Sequence, residues 1–310
     1  MKLVKATLLS LLVAATTFAA EVKKSTADHL QDVSVTIVSE GSFSRGEGSG
    51  VIFSRQDKDG NTVNFVWTAA HVIDNLRTER KVVVGGSPKT LVEFKDAKIL
   101  KVIRQNGRTV GRLEMDAEVV KYSDADDGHD LALLRVRKLN FLDDTVKFKL
   151  DSKIPKLGTD LWHVGSLLGE MGSNSMTDGI YSQTGRLIKQ LNKHVFDQTT
   201  VAAFPGSSGG GVFLKSDASY VGMLVRGAGE TFNLIVPVRR MQEWCEKNDI
   251  TWALDPKVAL PSDDELAKIP VEDVGADFSK ENEDKKAKKR KLVEQDFPFL
   301  LKTSIFNTKD

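Results

Sequence analysis

Apolar and polar side chains alternate over residues 33–38, the period of a strand with one face in a core. Gly46-Glu47-Gly48-Ser49-Gly50 then reads as a turn, and Val51-Ile52-Phe53 as a second strand. The polar run Asp57-Lys58-Asp59-Gly60-Asn61 has the composition of a hairpin turn. It leads into Val63-Asn64-Phe65-Val66-Trp67, another strand. Short strand-like runs recur at 81–84, 90–93, 97–104 and 113–121, separated by turns containing Gly, Asn and Asp. The second half continues in the same way through 212–214, 222–227 and 231–237. Only near 238–247 does the period change, with Val238, Met241, Trp244 and Cys245 at helical spacing. The texture is that of an all-β antiparallel barrel or sandwich closed by a helix, with no longer repeat.

Length and composition narrow this. The chain has 310 residues, a hydrophobic share of 40% and a formal net charge of +1. That is enough apolar material for one large or two small domains. The charge balance points to no nucleic acid or acidic partner. The single cysteine, Cys245, allows no intrachain disulfide and reads as core packing.

The two ends differ from the middle. Lys2 and Lys5 precede an apolar run over residues 6–15, and small residues follow to Ala19-Ala20 before Glu21. This is the layout of a signal peptide over residues 1–20, too short for an ordinary membrane span. The alternative is an uncleaved interfacial anchor. The expectation is an exported protein, periplasmic or secreted, with no stable membrane insertion after cleavage. From Asp255 onward 24 of 56 residues are charged, against 28% for the whole chain. A solvated, disordered tail is expected over 251–310. Ser262-Asp263-Asp264-Glu265 could still cap a short helix. The apolar cluster Phe297-Pro298-Phe299-Leu300-Leu301 could dock back on the body of the protein.

Candidate chemistry centres on Phe204-Pro205-Gly206-Ser207-Ser208-Gly209-Gly210-Gly211. Attack on a carbonyl needs a nucleophilic oxygen beside backbone N–H groups that receive the oxyanion. A serine flanked by glycines fits that need, although a flexible surface loop has the same composition. A base and an acid are required elsewhere. His71 follows the apolar strand and Thr68-Ala69-Ala70. Asp130 opens the apolar run Leu131-Ala132-Leu133-Leu134, well placed to hold a histidine ring in one tautomer. The acidic turn Asp124-Ala125-Asp126-Asp127-Gly128 does not match a calcium loop, so no metal is expected.

Thr68-Ala69-Ala70-His71, His129-Asp130-Leu131-Ala132 and Gly206-Ser207-Ser208-Gly209-Gly210 together resemble the three catalytic blocks of trypsin-like, chymotrypsin-fold serine proteases. They stand in that family's order of His, Asp, Ser. Leu157-Gly158-Thr159-Asp160-Leu161-Trp162-His163-Val164-Gly165-Ser166 and Met176-Thr177-Asp178-Gly179-Ile180-Tyr181-Ser182-Gln183-Thr184-Gly185-Arg186 resemble opening strands of the second barrel in HtrA-type members. The resemblance covers roughly residues 30–245. It implies two antiparallel six-stranded barrels, at 28–140 (His71, Asp130) and 141–250 (Ser208 and the closing helix). It implies Ser208 as nucleophile, His71 as general base and acid, Asp130 as its orienter, and the N–H groups of Gly206 and Ser208 as oxyanion hole. Ala202, Ala203, Val225 and Gly227 fall where the family binds substrate, and suggest small or medium apolar residues before the cut. Arg226 could reach into the site or face water. Polypeptides are the implied partners; no cofactor, nucleic acid or particular oligomer is implied. Only about 60 residues follow the catalytic region, too few for the PDZ domain that HtrA-type chains usually carry. No clear zymogen clipping site is present. His29, His129, His163 and His194 have no role in this scheme. The alternative is a catalytically silent binding or scaffold protein on the same fold.

Overall fold

The computed structural model describes residues 24–105, 107–188 and 194–273, together with the backbone of 301–302 and 305–308. Residues 1–20, where a signal peptide is expected, and most of the charged tail lie outside the described residues.

Helix α1 (Thr26–Asp32) is capped by Ser25, whose Oγ accepts from Asp28 N at 3.1 Å. It leads into six strands that close on themselves: β1 (Ser34–Glu40), β2 (Ser44–Gln56), β3 (Thr62–Thr68), then β6 (Ala97–Gln105), β7 (Arg108–Ser123) and β8 (Leu131–Val136). Their order is β1-β6-β7-β8-β3-β2, and the β1–β2 pairing shuts the ring. Between β3 and β6 lie the short helix α2 (Ala70–Ile73) and a separate hairpin, β4 (Arg77–Val84) with β5 (Ser87–Phe94). The second ring runs β12-β9-β10-β11-β14-β13, closed by β12–β13. Its strands are β9 (Asp160–Leu167), β10 (Gly172–Leu187), β11 (Val195–Thr199), β12 (Gly211–Leu214), β13 (Tyr220–Gly227) and β14 (Asn233–Pro237). The fold is therefore the expected double six-stranded antiparallel barrel. Helix α3 (Val238–Lys247) follows, with Val238, Met241, Trp244 and Cys245 buried as their spacing requires.

One apolar cluster runs through both rings. Phe53 stacks on Phe65 with ring centroids 5.4 Å apart, and Trp252 meets Phe65 at 4.8 Å. Trp67 packs edge-on against Trp244 of α3, and its Nε1 donates to the Ala253 carbonyl at 3.2 Å. Removal of such large buried rings costs about 3–5 kcal/mol each.

Two expectations are corrected. Residues 46–50 are not a turn but the middle of β2, paired to β1 from Ser34↔Val51 to Glu40↔Arg45. The glycines there mark close packing: a Cβ on Gly48 would stand 2.5 Å from the Val72 side chain. The stretch 255–273 is not a solvated extension. It forms helix α4 (Asp263–Leu266), where Glu265 Oε2 accepts from Ser262 N and Oγ at 2.8 Å each. Leu266 is buried, and Leu260, Ile269 and Val271 pack on the core. Tyr122 N donates to Val271 O at 2.7 Å, and the buried Lys121 Nζ donates to Pro270 O at 2.8 Å. A sparse apolar set among many charges was enough to dock the segment.

Candidate active site

Strand β3 ends at Thr68, and the chain turns directly into α2, which carries His71 inward with no solvent exposure. Asp130 stands one residue before β8 rather than on it, in the left-handed region at φ 57°. Its N–H donates to Asp124 O at 3.2 Å, so the acidic turn holds the unusual backbone in place. Both Asp130 oxygens lie 2.9 Å from His71 Nδ1, and Oδ1 also accepts from His71 N at 3.1 Å. His71 Nε2 is 2.7 Å from Ser208 Oγ. The barrels thus meet at a buried line of three side chains: acid and imidazole from the first, hydroxyl from the second. With the carboxylate accepting Nδ1–H, Nε2 is the ring's acceptor.

The loop around Ser208 is cross-braced. Ser207 N donates to Phe204 O at 2.9 Å, and Ser207 Oγ accepts from Phe204 N at 3.1 Å. Ser207 is therefore spent on the loop's own backbone. Gly209 N donates to Leu224 O at 2.8 Å, and Ser208 Oγ reaches Val225 O at 3.3 Å. Pro205 O accepts from Leu168 N at 2.7 Å. Because C=O and N–H of one peptide point to opposite sides, the Gly206 N–H is turned away from Leu168. Gly206 has φ 94°, and a Cβ there would lie 2.2 Å from Ser166 O. Only glycine fits this position.

Ser49, overlooked in the sequence, is the main brace. Its N–H donates to Ser208 O at 2.7 Å, and its Oγ donates to Gly206 O at 2.6 Å while accepting from Ser166 N at 2.7 Å. Through its N–H and its hydroxyl, this one buried residue ties the first barrel to the nucleophile loop and to β9. Its signal in the sequence was only a small polar residue between two glycines.

Arg226 reaches inward and is buried. Its Nη1 lies 3.3 Å from His71 Nδ1, its Nη2 lies 3.4 Å from Asp130 Oδ2, and Nη2 also donates to Ala125 O at 3.4 Å. The guanidinium shares the Asp130 charge with the imidazole. Of the expected substrate residues, Val225 and Gly227 lie on β13, while Ala202 and Ala203 lie on the stretch leading to the loop. Ala202 O accepts from Thr177 Oγ1 at 2.8 Å. Asn233, opposite Gly227 on β14, had no sequence signal. Its Nδ2 donates to Val201 O at 2.7 Å, and its buried Oδ1 has no partner among the described residues.

Two other histidines lie outside the line, His163 buried and His129 half-buried. The ring of His129 lies 4.3 Å from that of His194, and burial pushes its pKa down to about 3. His129 lies in the turn before β8, which sets it apart from the line. His163 lies under the glycine loop with Nδ1 3.0 Å from Gly211 O, and burial lowers its pKa to about 4. As pH falls, the unfolded chain takes the His163 proton first. This stabilisation is complete above about pH 6.5 and is lost as pH falls toward about 4. At pH 5 the loss amounts to roughly 2 kcal/mol. Thermal melts at pH 7 and pH 5 should therefore lie closer together in His163→Gln than in wild type, and an unchanged gap would count against this assignment.

A cavity of about 750 Å³, lined by Arg55, Phe148, Cys245 and Leu254 among others, includes none of the three aligned residues. Among the described residues no group of three His, Cys, Asp or Glu is arranged to hold a metal ion, and no helix is long and apolar enough to cross a membrane.

Double barrel, residue order and buried hydrogen-bonded line together have the layout of a chymotrypsin-fold serine protease site. The chain belongs to the trypsin-like peptidase domain family, whose model matches residues 48–223. A search of curated proteins gives no match. Among solved structures, an HtrA-type protease, AlgW, solved with a tripeptide, aligns at 20% identity and TM-score 0.51, over 74% of this chain and 65% of its own. Deg5 aligns at 20% identity and TM-score 0.48, over 70% of this chain and 89% of its own. A serine endoprotease from Yersinia pestis aligns at 20% identity and TM-score 0.49, over 72% of this chain and 66% of its own. The chain thus matches just under two thirds of the AlgW and Yersinia pestis chains. At this identity the likeness is one of fold.

Proposed function

We propose that the protein is a serine endopeptidase that cuts polypeptides through an acyl-enzyme on Ser208. The single observation that supports this most is the buried Asp130–His71–Ser208 line, with Ser208 Oγ 2.7 Å from the imidazole. Ser208 Oγ attacks the carbonyl carbon while His71 Nε2 takes its proton. Asp130 holds the tautomer and offsets the imidazolium charge. The oxyanion enters the N–H groups of Gly206 and Ser208. His71 then gives the proton to the leaving amine, and water repeats the sequence to release the acid. Ala202, Ala203 and Val225 offer apolar walls, and Asn233 beside Gly227 takes up room next to them. The substrate residue before the cut is accordingly small or medium and apolar. The N-terminal run argues for export to the periplasm or beyond.

A cleavage-site profile on a peptide library tests this reading. Cuts after Ala, Val or similar residues, absent with Ser208→Ala, are expected. No Ser208-dependent cut in any peptide would overturn it.

A further inference from the structure

Besides the β4–β5 hairpin, two described strands lie outside the barrels. β15 (Leu301–Lys302) pairs antiparallel with β13, as Arg226↔Lys302 and Gly227↔Leu301. β16 (Ile305–Thr308) pairs antiparallel with β2, from Ile305↔Glu47 to Thr308↔Ser44. Neither closes a ring; both rings are complete without them. They cover strand edges on opposite barrels. Those edges flank the same residue, Ser208. The next rung of β13 is Val225, whose carbonyl lies 3.3 Å from Ser208 Oγ. Two residues beyond Glu47 on β2 stands Ser49, whose N–H donates to Ser208 O at 2.7 Å. In the sequence only Thr303 and Ser304 separate β15 from β16.

We propose that the C-terminal segment is this protein's own groove occupant. Its strands β15 and β16 pair with Arg226–Gly227 on one side of Ser208 and with Ser44–Glu47 on the other, and they compete in cis with polypeptide substrate. Addition of a strand to a free edge is a general mode of peptide binding, with main-chain hydrogen bonds as its source of affinity. Free edges of this kind also pair with foreign chains unless covered. The tether is long enough. Asp273, held by Trp244 Nε1 at 3.1 Å, is 28 residues before Leu301 (301 − 273), a reach of up to about 90 Å when extended. Attachment to the same chain sets an effective concentration on the order of millimolar, so even a strand with a Kd of ~0.1 mM would leave only about a tenth of the grooves open. The described strands fit an occupant of modest affinity. Six residues pair, and they do so at edges rather than in a core.

The competition rests on the endopeptidase reading, but the pairing does not, and two readouts separate them. Three chains are compared: the full chain, a chain ending at Leu300, and a full-length variant carrying Leu301→Pro, Lys302→Pro, Phe306→Pro and Asn307→Pro. The last keeps the tether and removes strand donors. Amide hydrogen exchange at Arg45–Glu47 and Arg226–Gly227 should speed up in both altered chains. Labelling of Ser208 by a fluorophosphonate should become about tenfold faster or more in both. Unchanged exchange at these amides overturns the proposal, whatever the labelling. Faster exchange with equal labelling rates overturns the competition and leaves the endopeptidase reading intact. Faster exchange with no labelling of any chain keeps the docked strand and overturns the endopeptidase reading instead.

Discussion

Replacement of Asp130 by Asn lowers turnover about 10⁴-fold, with little change in substrate KM. Both Asp130 oxygens lie 2.9 Å from His71 Nδ1. An amide in that place can present its NH₂ to the ring, which then carries its proton on Nε2 and has no lone pair for Ser208. The variant should still fold, because Asn tolerates the left-handed backbone at this position at least as well as Asp. It also leaves Arg226 facing a neutral group in a dry setting, at 3.4 Å from the former carboxylate. An unpaired buried charge is costly, so Tm should fall by several degrees. The pairing of a large kinetic loss with a modest thermal one is the diagnostic result. Steady-state kinetics with a cleavable peptide, run beside thermal melts, read both. Turnover within tenfold of wild type would show that Asp130 does not set the tautomer.

Gly206→Ala carries the second large effect. A Cβ at φ 94° is strained by roughly 1–2 kcal/mol, and here it would also stand 2.2 Å from Ser166 O and 2.6 Å from Gly169 N. Relief requires the 205–206 peptide to turn, which breaks the Leu168 N to Pro205 O bond and takes the Gly206 N–H out of line. Loss of one oxyanion donor costs about 10²–10³ in turnover. Ser208, His71 and Asp130 keep their mutual distances, so the loss should fall on turnover and spare the melting temperature of the barrels by comparison. Measurement of turnover and of binding of a boronate or aldehyde that mimics the tetrahedral state would check this. Equal affinity of both proteins for such a ligand would contradict the oxyanion role.

The fold was legible because its strands alternate over short, turn-bounded runs, and the aligned line because its three residues sit in blocks of distinctive composition. What stayed hidden depends on long-range contact. Residues 46–50 look like a turn, since glycine frequency carries no information on whether a facing side chain such as Val72 demands the space. Arg226 reads equally well as a surface charge; only the approach of β13 to Asp130 decides otherwise. Ser49 and Asn233 are small polar residues whose partners lie on other strands, over a hundred positions away for Ser49 and Gly206. The 255–273 segment was hidden by its charges, because Leu260, Leu266, Ile269 and Val271 follow no regular period yet pack on the core. The pairing of β15 and β16 has no local signal either, since an edge strand takes its register from the strand it joins.

The central claim is that Ser208 is an activated nucleophile. Reaction of the protein with a fluorophosphonate, followed by mass spectrometry of the digested chain, tests it most directly. The account predicts a single phosphonylated residue, Ser208, with labelling lost in Ser208→Ala and strongly slowed in His71→Ala. Labelling on Ser207, or none on well-folded protein that lacks residues 301–310, would contradict it.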